Sequence, residues 1–337
     1  MTKIVNKPPP SILDEHSIEL AVRRAAYRSL LGREPEPAAI DPATPPLLSE
    51  EFEHSLADIL RTFVDSAEFA QQRGKLWFAP DTWVQMLIRD RVRLWIDLGD
   101  AGVSRCCLAG SFEPIETNFV LGLLKPGMHF VDIGANIGWF AVQAADRVGL
   151  HGHVIAFEPR PTTSAWLKRS IEDNEFSAWT EVYACAVGPT RGNISIGTSS
   201  GTDNPGGTWT IANEAVETHF RNGPSDVSEV PMVTLDEIVG DRRVDMIKID
   251  IEGAEPLAMH GAERVLREQR PIVVSEINPQ MLQLVSSLPA REYVERMKAF
   301  GYDCFELTSQ GLGREFDGGG TLPSQLDMIN VAFVARK

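Results

Sequence analysis

One stretch of the chain, residues 129–158, constrains the fold more than any other. It contains two short apolar segments, each with the composition of a strand buried on both faces. Between them lie a glycine turn and an amphipathic helical pattern, and an acidic residue, Glu158, follows the second apolar segment. The segments are 129–133, 134–138, 139–148 and 153–157. Their order predicts a strand, turn, helix and strand, the repeating unit of an α/β fold with a parallel sheet.

The glycine spacing separates this turn from a dinucleotide-binding turn. A dinucleotide fold needs G-x-G-x-x-G, so that a pyrophosphate can approach bare backbone at the helix N-terminus. Here the pattern is D-x-G-x-x-x-G, and the carboxylate of Asp132 would repel a pyrophosphate. An acid at Asp132 and a side chain at Asn136 favour a cationic amino-acid tail, which indicates S-adenosylmethionine. The candidate cofactor-binding residues are Asp132, Gly134, Ala135, Asn136, Gly138 and Glu158.

Composition narrows the partners of the protein. The chain has 337 residues, of which 43% are apolar, so two domains are expected. The net charge of −15 disfavours nucleic acid and anionic membrane surfaces, which leaves a small molecule or a glycan as the acceptor. The four cysteines lack C-x-x-C spacing and are expected to be reduced thiols. No apolar leader or membrane-spanning run is apparent, so we expect a cytoplasmic protein without membrane insertion.

Residues 1–78 are expected to form a small helical module, separate from a second domain at 79–337. The segments AYRSLLGREPEP and FVDSAEFAQQ resemble a short bacterial domain of unknown function that is similar to phycobilisome linkers. That resemblance implies a link to a glycan pathway, and the alternative is a helical cap on the catalytic domain. A homodimer, or a protein partner bound through this module, is a further expectation.

The second domain is expected to be a doubly wound sheet with an antiparallel edge, because about five strand-helix alternations are followed by two terminal strands. We expect a helix at 81–88, a hairpin of 91–98 with 103–108, and one strand at 181–187. Residues 197–229 are rich in Gly, Ser, Asn and Pro and contain Trp209. A loop of that length predicts a mobile lid over the acceptor, with a disordered insertion as the alternative.

Several motifs, taken in order, resemble the FkbM family of S-adenosylmethionine-dependent methyltransferases. The motifs are VDIGANIG, AFEPRP, ACAVG, VTLDEI, KIDIEGAE and VVSEI, and the resemblance covers about 112–334. It implies a class I methyltransferase (Rossmann-like) fold with a seven-stranded sheet, and O-methylation of a sugar or polyketide hydroxyl. It also implies that Asp132, Gly134, Asn136 and Gly138 hold the methionine end of the cofactor and that Glu158 holds its ribose. The long insert departs from the family pattern, which leaves the acceptor open.

Acidic residues supply the predicted chemistry. Asp132, Glu158, Asp250 and Glu276 each stand near the end of a predicted strand, where ligands of such sheets bind. A methyl transfer to oxygen needs a positioned acceptor and a group that takes its proton. Asp250 is the first candidate for that base and Glu252 the second, while Glu113 or Glu276 could orient the acceptor. The alternative is that Asp250 and a neighbouring acid hold Mg²⁺.

Two other functions are weaker fits to the sequence. A nicotinamide oxidoreductase would need the third glycine of the dinucleotide turn, which this chain lacks. A non-catalytic scaffold, or a module that only binds S-adenosylmethionine in a glycan-assembly pathway, would be expected to have lost the acids around Asp250, and they are present.

Overall fold

The computed structural model describes residues 81–100, 102–110, 112–198, 208–211, 216, 226–319 and 328–336. The chain divides into two units, Met1–Thr82 and Trp83–Lys337, and every helix and strand described here belongs to the second. The expected helical module at 1–78 and its resemblance to linker domains therefore lie outside the described residues.

Within the described residues, the second unit contains fourteen strands and eight α-helices. The strands are β1 Trp83–Ile88, β2 Val92–Asp97, β3 His129–Ile133, β4 His153–Phe157, β5 Thr180–Tyr183, β6 Ala186–Val187, β7 Gly192–Thr198, β8 Thr208–Ile211, β9 Asp226–Val233, β10 Met246–Ile249, β11 Ile272–Ile277, β12 Tyr302–Thr308, β13 Gly311–Glu315 and β14 Ile329–Ala335. The helices are α1 Val103–Leu108, α2 Pro114–Leu123, α3 Trp139–Val148, α4 Pro161–Asp173, α5 Leu235–Val239, α6 Glu255–His260, α7 Pro279–Val285 and α8 Ala290–Ala299. Short 3₁₀ and π-helical turns occupy Gly149–His151 and Val265–Gln269.

The central sheet confirms the class I α/β fold. Its order over the described strands is β13-β12-β14-β11-β10-β3-β4-β5. The strands from β11 to β5 are parallel, whereas β12, β13 and β14 pair antiparallel at one edge. The sheet thus has the expected antiparallel edge, and β13 adds one strand to the expected seven. After β3 the chain adds β4 and β5 on one side and later β10 on the other, so the strand order reverses between β3 and β10.

A second, four-stranded sheet, in the order β6-β9-β7-β8, adjoins the central sheet in sequence after β5. The single strand expected at 181–187 is wrong, because β5 ends at Tyr183 in the central sheet and β6 begins at Ala186 in the small one. The long loop expected at 197–229 also begins and ends differently. β7 continues to Thr198, β8 occupies Thr208–Ile211 and β9 starts at Asp226.

The N-terminal hairpin corrects two further expectations. Residues 83–88 are a strand rather than a helix, and they pair antiparallel with β2. Arg89 and Asp90 both have positive φ, the backbone geometry of tight hairpin turns whose twist matches that of the strands. Val103–Leu108 is a helix rather than the second hairpin strand, since the carboxylate of Asp100 accepts hydrogen bonds from the backbone N–H groups of Gly102 (2.9 Å) and Ser104 (3.0 Å). Such a carboxylate satisfies the free N–H groups of a first helical turn.

The core lies around the central sheet. Strands β3, β4, β10 and β11 are almost wholly buried, as expected for parallel strands covered by helices on both faces. None of the four cysteines forms a disulfide, and Cys106 is the exposed one of the four. No helix within the described ranges is long and apolar enough to cross a bilayer.

Candidate functional site

A pocket of about 270 Å³ lies at the carboxyl ends of β3, β4 and β10, next to the reversal of strand order. Ligands of open α/β sheets bind at this position. Among the described residues, the lining contains five carboxylates and one ammonium: Glu113, Glu158, Asp250, Glu252, Glu276 and Lys248. Of the residues predicted from the sequence, all line the pocket except Asp132 and Gly138.

The glycine turn is held tightly against the end of β10. Gly134 has φ of +82°, and a Cβ atom at this position would stand 2.0 Å from the carbonyl oxygen of Asp250. The backbone N–H groups of Gly134 and Ala135 both donate to the carbonyl oxygen of Phe157, at 3.0 and 2.9 Å. Gly134 is therefore required by the packing of β3, β4 and β10 as well as by any ligand.

Gly138 and Asn136 complete the turn. Gly138 precedes α3 with φ of +97°, and a Cβ atom there would stand 2.3 Å from the Cδ1 atom of Leu167. Asn136 has φ of +50°, and its side-chain oxygen accepts a hydrogen bond from the N–H of Ile137 at 2.8 Å. The side chain of Asn136 thus stabilises the turn locally, a use that the sequence pattern did not predict.

Glu158 stands at the end of β4, as predicted, and is fixed by the backbone. One carboxylate oxygen accepts the N–H of Asn136 and the other the N–H of Arg160, both at 2.9 Å. Burial raises the pKa of Glu158 to about 7, although these two hydrogen bonds oppose the rise. Each carboxylate oxygen has more than one lone pair, so Glu158 can still accept hydrogen bonds from a diol.

Asp132 lies behind the pocket wall rather than in it. Its side chain is fully buried, and neither carboxylate oxygen has a hydrogen-bond partner among the described residues. It stands level with Lys248 on the neighbouring strand β10. Burial raises the pKa of Asp132 to about 6, against the lowering effect of the Lys248 ammonium. The direct contact with the methionine end that the sequence implied stays a prediction, while the structure shows a buried acid beneath the pocket.

Lys248 is the centre of an acid cluster, which we define as Lys248, Glu113, Asp132, Asp250, Glu252 and Glu276. The Nζ atom lies 3.1 Å from Oδ2 of Asp250, 3.6 Å from Oε2 of Glu113 and 4.6 Å from the centre of the Phe140 ring. Burial alone would lower the pKa of Lys248, but the carboxylates of Asp250, Glu113 and Asp132 raise it above its usual value. The ammonium therefore stays charged although it is only 5% exposed.

The remaining acids of the cluster compete for that one positive charge. Burial, with the charge of Asp250 next, raises the pKa of Glu252 to about 7 and that of Glu276 to about 9. Burial also raises the pKa of Glu113 to about 7, and Lys248 limits the rise. More carboxylates than cations meet here, so part of the cluster holds protons at neutral pH and the whole would stabilise a cationic ligand.

The turn after β10 shows why the sequence IEGAE follows the strand. Glu252 and Gly253 both have positive φ, and a Cβ atom on Gly253 would stand 2.4 Å from the carbonyl oxygen of Met281. The buried carboxylate of Glu255 accepts the N–H groups of Ile251 (2.9 Å) and Gly253 (3.2 Å). Glu255 therefore fixes the conformation of this turn, and the turn places the side chains of Asp250 and Glu252 in the pocket.

Sequence reasoning missed several pocket residues. The sequence indicates Lys248 only as a core lysine. Asp250 follows it by two residues, just after the end of β10, and a spacing of two in extended chain places both side chains on one face. Phe112, Trp139 and Phe140 form an aromatic wall, and the indole N–H of Trp139 donates to Oγ1 of Thr117 at 2.9 Å. Ile196 of β7 and Thr210 of β8 bring the small sheet to the pocket, and no signal in the sequence placed them there.

The geometry gives the Mg²⁺ alternative no support. Among the residues that the structure describes, no three histidine, cysteine, aspartate or glutamate side chains are placed to ligate one metal ion. The position beside Oδ2 of Asp250 is taken by the ammonium of Lys248.

A family model decides where this chain belongs. The model described as "Methyltransferase FkbM domain" matches residues 132–304, just over half of the chain. The chain belongs to the FkbM methyltransferase family. The matched region includes every predicted site residue of this FkbM chain except Glu113.

Solved structures similar to this FkbM chain share low sequence identity with it. A methyltransferase FkbM from Methylobacillus flagellatus is 20% identical over 69% of this chain, with a TM-score of 0.41, and this chain spans about half of its length (53%). A SAM-dependent O-methyltransferase from Thermotoga maritima is 12% identical, covering 66% of each chain, with a TM-score of 0.34. A fibrillarin from Aeropyrum pernix, solved with natively bound S-adenosyl-L-methionine, is 13% identical over 65% of this chain and 74% of its own, with a TM-score of 0.33. No curated protein sequence matches the chain.

The pocket of this FkbM chain fits S-adenosylmethionine chemically. The sulfonium and the amino group of that cofactor are cationic, and the acid cluster has an excess of negative charge around a single ammonium. Two buried oxygens of Asp132 lack partners, and Glu158 is placed at the strand end where a ribose would be held. The residues present therefore suit the cofactor at both of its ends.

Proposed function

We propose that this protein transfers a methyl group from S-adenosylmethionine to a hydroxyl group of a small molecule, a sugar or a glycosylated compound. The observation that carries the proposal is the pocket at the reversal of strand order, which combines Glu158 with the acid cluster. The cofactor would be held by Glu158 and by the turn residues Gly134, Ala135 and Asn136. The negative charge of Asp132 would attract the cationic groups of the cofactor from behind the pocket wall.

The cofactor, when bound, supplies a methyl group already activated by the positive sulfur. The protein therefore has to orient the acceptor, exclude water and accept a proton. Several carboxylates of the acid cluster can accept that proton, and the sequence placed Asp250 first and Glu252 second. The aromatic wall offers a flat apolar surface of the kind on which a sugar ring can lie.

A sugar hydroxyl fits these walls better than an anionic acceptor. An acceptor with phosphate or carboxylate groups would meet Glu113, Glu252 and Glu276 at short range, and among the described lining residues Lys248 is the one cation that offsets the repulsion. An uncharged polyol can instead donate hydrogen bonds to the carboxylates. A cytoplasmic location and a partner bound through residues 1–78 remain predictions.

The test is a transfer assay with tritium-labelled S-adenosylmethionine and a panel of p-nitrophenyl glycosides and hydroxylated polyketides. We expect label in at least one glycoside, with EDTA present, and less label in anionic uronides. Label in no hydroxyl compound, together with undiminished cofactor binding, would favour the binding module without catalysis. A strict requirement for Mg²⁺ would contradict the proposal that the carboxylates of the acid cluster act without a metal ion.

A further inference from the structure

Glu113, like Glu252, occupies a left-handed backbone position in the acid cluster. It is the residue before α2, with φ of +40° and ψ of +60°, a region that residues with a Cβ atom rarely adopt. Its carbonyl oxygen accepts the N–H of Thr117 at 2.8 Å, which fixes it to the helix. Strain of this kind persists where the surrounding structure enforces it, and it is common at functional sites.

The carboxylate of Glu113 is available to a ligand. It lines the pocket, and 23% of its side chain is exposed. Its distance of 3.6 Å from Nζ of Lys248 is an ion pair and is too long for a good hydrogen bond. The carboxylate is thus oriented by a charge while its lone pairs remain open towards the pocket.

Asp250 is equally exposed, at 24% of its side chain, and differs from Glu113 in its hydrogen bonding. Its Oδ2 atom receives a hydrogen bond from Lys248 at 3.1 Å. The Phe140 ring lies against the same ammonium, at 4.6 Å. Lys248 and Asp250 therefore form the tighter pair, and Glu113 is the acid that this pair faces.

We propose that Glu113 is the catalytic base of the methyl transfer and that Lys248, held by Asp250, is the residue that positions it. This assignment rests on the proposed function. The O–H bond of the acceptor breaks and its proton goes to a carboxylate oxygen of Glu113. The electron pair on the acceptor oxygen forms the bond to the methyl group, and the pair of the broken C–S bond stays on sulfur.

The charges around Glu113 set the pH range in which it can accept a proton. The groups that face it are Lys248 from β10, Asp250 directly after that strand, Glu116 from α2, Asp132 from β3 and Cys107 from α1. Burial raises its pKa to about 7 and Lys248 limits the rise, so the fraction of Glu113 that is ionised and able to accept a proton increases as pH rises through about 7. A base whose pKa lies near the working pH is well matched to general-base catalysis.

The experiment compares Glu113→Gln, Lys248→Met, Lys248→Arg and Asp250→Asn with the surface control Lys168→Met. One measurement follows the side-chain carbons of ¹³C-labelled glutamate by NMR as pH is raised, and Glu113→Gln assigns the Glu113 signal. A second measures the pH dependence of turnover with the best p-nitrophenyl glycoside of the panel. A third measures affinity for S-adenosylmethionine.

We expect Glu113 to titrate near pH 7, and Lys248→Met to raise that midpoint by about one pH unit or more, whereas Lys248→Arg and Lys168→Met leave it nearly unchanged. Glu113→Gln should lower turnover about 10²-fold or more, with cofactor affinity within about threefold. Lys248→Met should shift the acidic limb of the turnover profile to higher pH, and Lys248→Arg should restore it. A merely structural Lys248 would not move that limb.

A fully active Glu113→Gln enzyme would overturn the assignment, and so would a Glu113 signal that titrates below pH 5. Loss of turnover in Asp250→Asn without any shift of the Glu113 midpoint would return the role of base to Asp250. The NMR measurement needs neither cofactor nor acceptor, so its failure is distinct from a failure of the proposed methyl transfer.

Discussion

At the scale of single residues, Gly134 couples the fold to the site. The turn after β3 touches the carbonyl oxygen of Asp250, and the same turn leads through Asn136 to Glu158. A change at Gly134 therefore displaces both the acid cluster and the residue expected to hold the ribose.

Gly134→Ala should destabilise the protein and weaken cofactor binding. The left-handed backbone of alanine costs roughly 1–2 kcal/mol, and the collision at 2.0 Å adds about 1–3 kcal/mol. The control is Gly122→Ala in α2, where a Cβ atom meets nothing within 4 Å and helix propensity should gain about 0.5–1 kcal/mol. Thermal melting tests this: Gly134→Ala should melt below the wild type, whereas Gly122→Ala should not. Equal melting temperatures of the two variants would contradict the packing argument.

The sequence predicted the positions of the acids at the strand ends but not the role of each one in the site. Glu158, Asp250 and Glu276 could be placed at one rim because parallel strands end at the same edge of a sheet. The role of Lys248 could not be predicted, since it depends on Glu113 and Phe140, which arrive from α2 and α3. The depth of Asp132 behind the wall likewise depends on how α3 covers β3 and β10.

At the scale of secondary-structure elements, the wrong predictions concern short segments whose apolar residues do not clearly follow a helical or a strand period. A helix is the wrong expectation for 83–88 because six residues do not distinguish the two apolar periods well, and pairing with β2 makes the segment a strand. A strand is the wrong expectation for Val103–Leu108, where the buried carboxylate of Asp100 accepts the N–H of Ser104 and stabilises the first turn of a helix. The helix predicted at 139–148 matches α3, because ten residues with an amphipathic pattern are enough to identify the helical period.

The lid prediction concerns residues 197–229, a range that includes the end of β7, all of β8 and the start of β9. Ile196 and Thr210 line the pocket, so closure of this region over a bound acceptor would exclude water. Hydrogen exchange should show new protection across residues 197–229 when S-adenosylmethionine and the glycoside acceptor are both present. Trp209→Ala should raise the KM of the acceptor or lower turnover. Intact methyl transfer after deletion of the connecting residues would show that the segment is not a lid.

At the scale of the whole molecule, the acid cluster makes stability depend on pH. Burial raises the pKa of Glu158, Glu252, Glu255 and Glu113 to about 7 and that of Glu276 to about 9. A carboxyl group whose pKa is higher in the folded than in the unfolded state stabilises the folded state. This stabilisation is fully present below the pKa of the unfolded state and is lost as pH rises through the pKa of the folded state. A pKa that is higher by one pH unit in the folded state than in the unfolded state corresponds to about 1.4 kcal/mol, so several such groups matter.

The cofactor-free protein should therefore melt at a lower temperature at pH 8.5 than at pH 6. A bound cation offsets the repulsion among ionised carboxylates, so S-adenosylmethionine should raise the melting temperature more at pH 8.5 than at pH 6, at equal saturation. S-adenosylhomocysteine, which lacks the sulfonium charge, is the matched control ligand. Melting temperatures that are equal at both pH values, or higher at pH 8.5, would show that the acids are not buried as the structure places them.

The central claim is that the pocket binds S-adenosylmethionine with Glu158 on the ribose, and calorimetric titration tests it most directly. Wild type should bind S-adenosylmethionine and not NAD, because the turn lacks the third glycine and carries Asp132. Glu158→Ala should weaken binding by roughly 2–4 kcal/mol, the value of two charge-assisted hydrogen bonds with some replacement by water, whereas the exposed Glu172→Ala should not. Binding of NAD, or unchanged affinity in Glu158→Ala, would contradict the account.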